Sequence, residues 1–143
     1  MSQAPTEYRV HGRCIAGGTA EVHAADQIVH IDARWGAATP STLPGPAELL
    51  ASAFASCLMK NLERSSSLLD IAYRGATVEV RARRQDSPPK FIEVAYELRV
   101  DTDASEHQLE LLHRNLQKFG TVYNTLVAVC DVHGTVTNAG TAS

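Results

Sequence analysis

Cys57 lies inside an almost continuous run of apolar and small residues, 49–59, within "PAELLASAFASCLMKNL". A thiol in such a run can be a small hydrophobe that fills a core, or a nucleophile kept away from bulk water. Taken alone, the sequence favours the first interpretation, because Cys57 lies about three turns inside a predicted helix, too deep for the helix dipole to assist its ionisation. A reactive thiol here would need a cationic or hydrogen-bonding partner that only the fold can bring to it.

The other two cysteines, Cys14 and Cys130, are far from Cys57 in the sequence, and the chain contains no CxxC motif. An odd number of widely spaced cysteines, in a chain of 143 residues that can build its own core, favours free thiols in a reducing cytoplasm. The six histidines show no pair at the helical spacing of metal ligands. We therefore expect a cytoplasmic protein with neither a metal nor a cofactor, and we expect Cys14 to be a packing residue.

The overall composition excludes several classes of partner. A net charge of −3 and a pI near 6.0 give no basic surface for nucleic acid and no polybasic patch for a membrane. No run approaches the roughly 18 apolar residues that span a bilayer, and "MSQAPTEYRV" does not resemble a signal peptide. We expect no nucleic-acid partner and no membrane segment.

The first half of the chain predicts a meander of short strands followed by one long helix. Alternating residues and turn signals predict strands at 6–15, 19–24 and 27–33, and a loop at 36–45. Pro46 is typical of a first helical turn, which predicts a helix over 46–66. Since this helix carries apolar or small residues on every side from 49 to 59, we expect it to be buried nearly all round.

The second half predicts a long hairpin, two helices and a last strand. The elements are strands at 76–85 and 90–100, helices at 104–119 and 121–129, and a strand at 130–138. Asp103 or Ser105 can cap the first of these helices, and Gly120 ends it. The sum predicts one α+β domain over 1–143, with antiparallel sheets around a long apolar helix.

Two segments resemble motifs of one known family. "GPAELLASAFASCL" resembles the central-helix motif of the OsmC/Ohr family, the osmotically inducible and organic-hydroperoxide-resistance proteins, and "FGTVYNTL" resembles its second cysteine motif. The order of predicted elements also matches along almost the whole chain. The resemblance implies an OsmC-like fold in an intertwined homodimer, with the apolar helices packed at its centre. It also implies a stress-response role, namely thiol-dependent reduction of organic hydroperoxides with an external thiol as reductant.

The resemblance assigns roles to individual positions. Cys57 takes the position of the cysteine that attacks the peroxide and becomes a sulfenic acid. The family's second cysteine, which would then form a disulfide, is replaced here by Gly120. Cys130, ten residues further on, is the remaining candidate for a resolving thiol, although we expect it to be a buried strand residue about 12–15 Å from the vacant position. Oxidised Cys57 is then expected to wait for an external thiol.

Two further positions of the family pattern are also changed. The glutamate that precedes the attacking cysteine is replaced by Ala47, and Glu48 follows one residue later, about 100° around the helix. The family's arginine belongs to the turn "CIAGGT", where the nearest candidates are Arg13 and Arg34. Glu48 and Arg13 are therefore candidate polar partners of Cys57.

Three functions remain open from the sequence. The first is a one-cysteine peroxidase that acts through Cys57. The second is a non-enzymatic OsmC-like protein that binds a small apolar or thiol-containing ligand in a pocket at the dimer interface. The third is a structural stress protein without chemistry at Cys57. A hydrogen-bond donor or cation near the Cys57 sulfur would favour the first.

Overall fold

A computed structural model describes residues 5–140 of the chain. They form two compact units, one that ends at Leu49 and one that begins at Leu50. Each unit contains a three-stranded sheet, and the second unit also contains helices, which is the α+β class predicted from the sequence. No helix in this part of the chain is both long enough and apolar enough to cross a membrane.

The first unit is an antiparallel meander, as predicted. Its sheet has the order β1 (Val10–Ile15), β2 (Thr19–Ala24) and β3 (Gln27–Asp32). Gly17 and Gly18, in the turn between β1 and β2, both have positive φ angles of 106° and 102°. Glycine adopts this region without the steric cost that a side chain would add, so the two residues fix the position of the turn.

The long helix, α1, spans Pro46–Leu69, about one turn longer than predicted. It ends where Asp70 takes a left-handed conformation with a φ of 54°. The N–H of Ile71 then donates to the carbonyl of Ser66 at 3.0 Å, so a carbonyl of the last turn is satisfied after the helix has ended.

The prediction that α1 is buried nearly all round is wrong for a single chain. The side of α1 that contains Met59 is exposed. One three-stranded sheet with two short helices covers only one side of a helix, so a single chain leaves the small residues around Met59 uncovered. The residues that α1 does bury form one stripe: Phe54, Leu58, Leu62 and Ser65.

The second unit carries a sheet in the order β4 (Gly75–Asp86), β5 (Pro89–Asp101) and β6 (Asp131–Asn138). Strands β4 and β5 form the predicted antiparallel hairpin. Strand β6 departs from the predicted antiparallel pattern, because it pairs parallel to β5. Parallel neighbours need a crossover, which here consists of α2 (Glu106–Phe119) and α3 (Thr121–Val127).

Helix α2 begins with a capping box. The Ser105 hydroxyl accepts from the Gln108 N–H at 3.2 Å, and the Gln108 side chain accepts from the Ser105 N–H at 2.9 Å. Gly120 ends α2 and is also the N-cap of α3. The helix buries Leu109, Leu112 and Leu116, whereas Phe119, at its end, is 43% exposed.

Two hydrophobic clusters hold the second unit together. Alternate residues of β5 are buried in them: Val94, Tyr96, Leu98 and Val100. The first cluster contains Leu62, Ile71, Leu98, Val100, Leu109, Leu112 and Leu116. The second contains Phe54, Leu58, Val94, Tyr96, Tyr123 and Leu126. The second cluster packs α3 against the part of α1 that carries Cys57.

Gly134 on β6 allows the Tyr96 ring to lie directly against the neighbouring strand. The two residues are paired in register, and a Cβ on Gly134 would lie 2.2 Å from the Tyr96 carbonyl oxygen and 2.4 Å from its Cγ. Only glycine fits this approach, which places the Tyr96 side chain in the second cluster.

Candidate active site around Cys57

Cys57 lies on the flank of the buried stripe of α1, where it is partly buried. Asn61, one helical turn later, places its Nδ2 3.6 Å from the Cys57 Sγ and 2.9 Å from the Cys57 carbonyl oxygen. The carbonyl contact fixes the amide, so the same N–H₂ group is presented to the sulfur. A thiolate or a sulfenate gains stability from such a donor, because a hydrogen bond to a charged acceptor is stronger than one between neutral groups.

Gly120, at the junction of α2 and α3, closes the other side of the sulfur. A Cβ on Gly120 would lie 3.1 Å from the Cys57 Sγ, 2.9 Å from the Tyr123 Cβ and 3.1 Å from the Leu116 carbonyl oxygen. The glycine is buried, so the chain has packed closely around the missing side chain. The two residues that the sequence motifs singled out, 63 positions apart, are therefore neighbours in the fold.

Three aromatic rings support this junction from the core. The Phe54 ring lies 5.8 Å from the Tyr123 ring and 5.7 Å from the Tyr96 ring, and the Tyr96 and Tyr123 rings lie 6.1 Å apart at a steep angle. Edge-to-face and offset arrangements at these separations are favourable. Because Tyr123 also touches the Gly120 position, the cluster holds α3 in place beside Cys57.

A buried polar network extends from the same cluster. The Tyr96 hydroxyl lies 2.7 Å from the His113 Nε2, and the Gln117 Nε2 lies 3.5 Å from the Tyr96 hydroxyl. Burial lowers the pKa of His113, and burial raises the pKa of Tyr96. Both groups are thus held neutral, which fits a Tyr96 hydroxyl that donates to the His113 ring.

The candidate polar partners Glu48 and Arg13 lie in the first unit and have local partners there. The Glu48 Oε1 accepts from the N–H of Gly45 at 2.8 Å, which caps the start of α1. Arg13 on β1 is exposed and pairs with Glu21 on β2 at 3.1 Å. Their roles toward Cys57 remain predictions.

Cys130 lies one residue before β6 and is only partly buried, so the expectation of a fully buried strand residue is wrong. Its Sγ donates to the Leu126 carbonyl at 3.3 Å. Burial, with a smaller effect of the Asp131 carboxylate, raises the pKa of the Cys130 thiol, which disfavours its thiolate. Cys14 on β1 is exposed, which differs from the expected packing role. An exposed β1 position in one chain has no core to pack against.

One group of side chains in residues 5–140 has the composition of a metal site. Ligand atoms of Glu93, Asp131 and His133 lie within 4.8 Å of one another on the outer face of the second sheet. Glu93 is already paired with Arg83 at 3.1 Å and with His133 at 2.9 Å. Arg83 and His133 thus already balance the charge of the Glu93 carboxylate. The group is separate from the surroundings of Cys57.

The match to a family model decides the classification. The model of the OsmC-like proteins matches residues 39–133, which include α1, the hairpin, the α2–α3 junction and the first three residues of β6. The chain belongs to the OsmC-like protein family. The resemblance of the two motifs is therefore confirmed at the level of the family, while no curated protein matches this chain.

Solved structures share this OsmC-like fold over nearly their whole length. An OsmC-like protein from Mycoplasma pneumoniae is 17% identical with a TM-score of 0.81, covering 94% of this chain and 100% of its own. An organic hydroperoxide resistance protein OsmC from Legionella pneumophila is 17% identical with a TM-score of 0.74, covering 93% and 99%. The organic hydroperoxide resistance protein OhrB of Bacillus subtilis is 20% identical with a TM-score of 0.65, covering 92% and 98%. At these identities the likeness establishes the OsmC-like fold.

The sequence interpretation missed Asn61, the hydrogen-bond donor nearest to the Cys57 sulfur. The signal for it was present, because residues four apart on a helix are neighbours on its surface. Asn61 follows Cys57 by four positions inside the predicted helix. An amide at that spacing satisfies the requirement, stated above for a reactive thiol, of a donor near the sulfur.

Proposed function

We propose that this OsmC-like protein reduces organic hydroperoxides through Cys57 and is regenerated by an external thiol. The observation that carries the proposal is the contact between the Cys57 Sγ and the position of Gly120, 3.1 Å from a Cβ placed there. This contact brings together the two motifs that hold the family's redox pair, which supports Cys57 as the attacking thiol. The two solved relatives named for organic hydroperoxide resistance support the same direction.

The first step is a displacement at oxygen. The Cys57 thiolate attacks the terminal peroxide oxygen, the O–O bond breaks, and the alkoxide leaves and takes up a proton as the alcohol. Cys57 is oxidised to a sulfenic acid, and the hydroperoxide is reduced. The Asn61 amide, 3.6 Å from the sulfur, donates to the thiolate before the step and to the oxidised sulfur after it.

Regeneration needs two equivalents of an external thiol, because Gly120 supplies none. The first thiol condenses with the sulfenic acid to form a mixed disulfide and releases water. The second attacks the mixed disulfide, releases Cys57 as a thiol, and leaves with the first as a disulfide. Such a cycle requires a compartment that keeps small thiols reduced, and for this reason we place it in the cytoplasm.

Assembly into a homodimer belongs to the same proposal. The side of α1 that a single chain leaves uncovered carries small residues and Met59, which is 47% exposed. A second copy of the chain, packed against this side, would bury a helix face that carries no charge between Ser52 and Met59. The exposed residues of this face are Ser52, Ala53, Ser56 and Met59.

The proposal is tested by steady-state consumption of cumene hydroperoxide in the presence of a small thiol. We expect Cys57→Ser to abolish consumption above the uncatalysed rate. Cys14→Ser and Cys130→Ser are matched controls, since each removes one of the other thiols, and both are expected to retain activity. If Cys57→Ser consumed the hydroperoxide as fast as the unaltered protein, the function would instead be binding or structural.

A further inference from the structure

Phe119 stands next to the candidate site, and two cations lie close to its ring. The Arg64 Cζ lies 4.5 Å from the centroid of the Phe119 ring, and the Lys118 Nζ lies 5.3 Å from it. The ring is 43% exposed, and Phe119 directly precedes Gly120, whose Cβ position touches the Cys57 sulfur. An apolar platform flanked by two positive charges thus adjoins the thiol.

These cations have no acidic partner in the part of the chain that the structure describes. Several other arginines pair with carboxylates, as Arg74 does with Asp101 at 2.8 Å. Arg64 and Lys118 instead contact only the Phe119 ring, and both are exposed. Lys60 on α1 is also exposed and forms no ion pair with residues 5–140. Unpaired charges of one sign produce a local positive potential at this surface.

Helix geometry places this charge on the same side of α1 as the thiol. Residues at i, i+3, i+4 and i+7 share one helix face. Counted from Cys57, these positions are Lys60, Asn61 and Arg64. The nearby acidic residue of the same segment, Glu63, lies at i+6 and forms a hydrogen bond with the Tyr73 hydroxyl. This carboxylate lies about 120° around the helix from Cys57, so it does not share the face of Cys57, Asn61 and Arg64.

We propose that the external thiol that regenerates Cys57 carries an anionic group, which Arg64 and Lys118 bind while its carbon chain lies against the exposed edge of the Phe119 ring. The inference rests on the proposed function, because it names the co-substrate of the same site. A second thiol must come from solution, since Gly120 has none, and a fixed positive potential raises the local concentration of anions. Arg64 follows Cys57 by seven residues, about 10 Å along the helix axis, and its long side chain together with a short thiol can bridge that distance.

The covalent step is an ordinary thiol–disulfide exchange. The thiolate of the anionic thiol attacks the disulfide on Cys57, one S–S bond forms as the other breaks, and the Cys57 sulfur leaves as a thiolate that takes up a proton. The cations do not take part in bond changes. They raise the rate at which an anionic thiol binds beside Cys57, so their effect depends on the charge of the thiol and on the salt concentration.

The test uses a disulfide that is made without peroxide. In a Cys14→Ser/Cys130→Ser background, methyl methanethiosulfonate converts Cys57 to a methyl disulfide. Its reduction is then followed by intact mass with three probes of similar length: 3-mercaptopropionate, 2-mercaptoethanol and cysteamine, which are anionic, neutral and cationic. The measured quantity is the ratio of the second-order rate constants for the anionic and the cationic probe, compared between protein variants so that the intrinsic reactivity of each thiol cancels.

We expect the double variant Arg64→Gln/Lys118→Gln to lower this ratio about five- to tenfold. High salt should lower it similarly in the protein that keeps both cations. Lys90→Gln removes one positive charge from the tip of the β4–β5 hairpin and is expected to leave the ratio unchanged. An equal ratio in the double variant and its parent would overturn the inference. Because no hydroperoxide is used, this result is independent of whether Cys57 reacts with one.

Discussion

A Cβ placed on Gly120 would lie 3.1 Å from the Sγ of Cys57. In a disulfide each Cβ lies about 3 Å from the partner sulfur, as the S–S length and the geometry at sulfur require. The backbone of this chain thus holds residue 120 where a disulfide partner of Cys57 would stand, although the side chain is absent. The site therefore has a backbone that suits a disulfide between positions 57 and 120, but it has a cysteine only at position 57.

Gly120→Cys should therefore restore an internal disulfide. We expect oxidation with one equivalent of hydroperoxide to join the new thiol to Cys57, because the backbone needs little movement. The reduced variant should be less stable by about 1–3 kcal/mol. The reason is that the added Cβ meets the Tyr123 Cβ at 2.9 Å and the Leu116 carbonyl oxygen at 3.1 Å. Peptide mapping under non-reducing conditions identifies the bond.

Gly120→Ser is the matched control for this experiment. It introduces a side chain of the same shape without a thiol, so it should reproduce the loss of stability in urea unfolding and form no disulfide. A Gly120→Cys protein that stays folded and oxidises without linking to Cys57 would show that the two motifs do not meet in solution as they do here.

Asn61→Leu tests the hydrogen-bond donor. The substitution keeps the size of the side chain and removes the Nδ2 that lies 3.6 Å from the Cys57 Sγ. We expect oxidation of Cys57 by cumene hydroperoxide to slow about tenfold, because the substitution removes a modest hydrogen bond to a charged acceptor. Asn61→Gln, which retains an amide on a longer side chain, should recover part of the rate. Equal rates in all three proteins, measured by quenched mass spectrometry, would remove Asn61 from the mechanism.

The proposed homodimer should be weakened by a charge introduced on the uncovered face of α1. Sedimentation equilibrium at micromolar concentration should give twice the mass of one chain. Ser56→Glu places a carboxylate on the uncovered face beside Met59 and should shift the protein toward monomer. Glu106→Lys, a charge change at the exposed start of α2, serves as the control. A folded monomer of the unaltered chain at this concentration would contradict the prediction.

Stability should depend on pH through His113. Burial lowers the pKa of His113 in the folded chain below 6.5, the ordinary value that it has when unfolded. Between these two values the unfolded chain binds more protons than the folded one, so the free energy of unfolding falls as the pH falls below 6.5. Urea unfolding at pH 7.5 and 5.5 should show a larger loss in the unaltered protein than in His113→Gln.

The exposed His107 on the same helix provides the comparison, because His107→Gln should keep the larger loss. The same loss in the unaltered protein and in His113→Gln would show that the burial of His113 does not set the pH dependence.

Local patterns in the sequence predicted most elements, because alternation, capping and turn residues act over a few positions. The meander and the hairpin follow from them, as does a cap at the start of α2, for which Ser105 was one of two candidates. The parallel pairing of β6 was not predicted, since it depends on where a crossover of two helices returns the chain. The burial of α1 was overestimated for a similar reason: apolar character shows that a surface is to be covered, but it does not show whether the same chain covers it.

The candidate site, too, was predicted from the sequence only in part. The motifs marked Cys57 and Gly120 correctly as a pair, because their positions follow from the family pattern. Side-chain contacts such as that of Asn61 with the sulfur depend on rotamers, and the Arg64–Phe119 contact joins two elements that are far apart in sequence. These contacts required the fold.

The central claim is that Cys57 reacts with an organic hydroperoxide and then waits for an external thiol. The most direct measurement is intact and peptide mass spectrometry after one equivalent of cumene hydroperoxide, with and without a trap for sulfenic acid. We expect a trapped adduct on Cys57, a mixed disulfide at Cys57 when a small thiol is added, and no adduct in Cys57→Ser. An unmodified Cys57, or a Cys57–Cys130 disulfide in high yield while the protein remains folded, would contradict it.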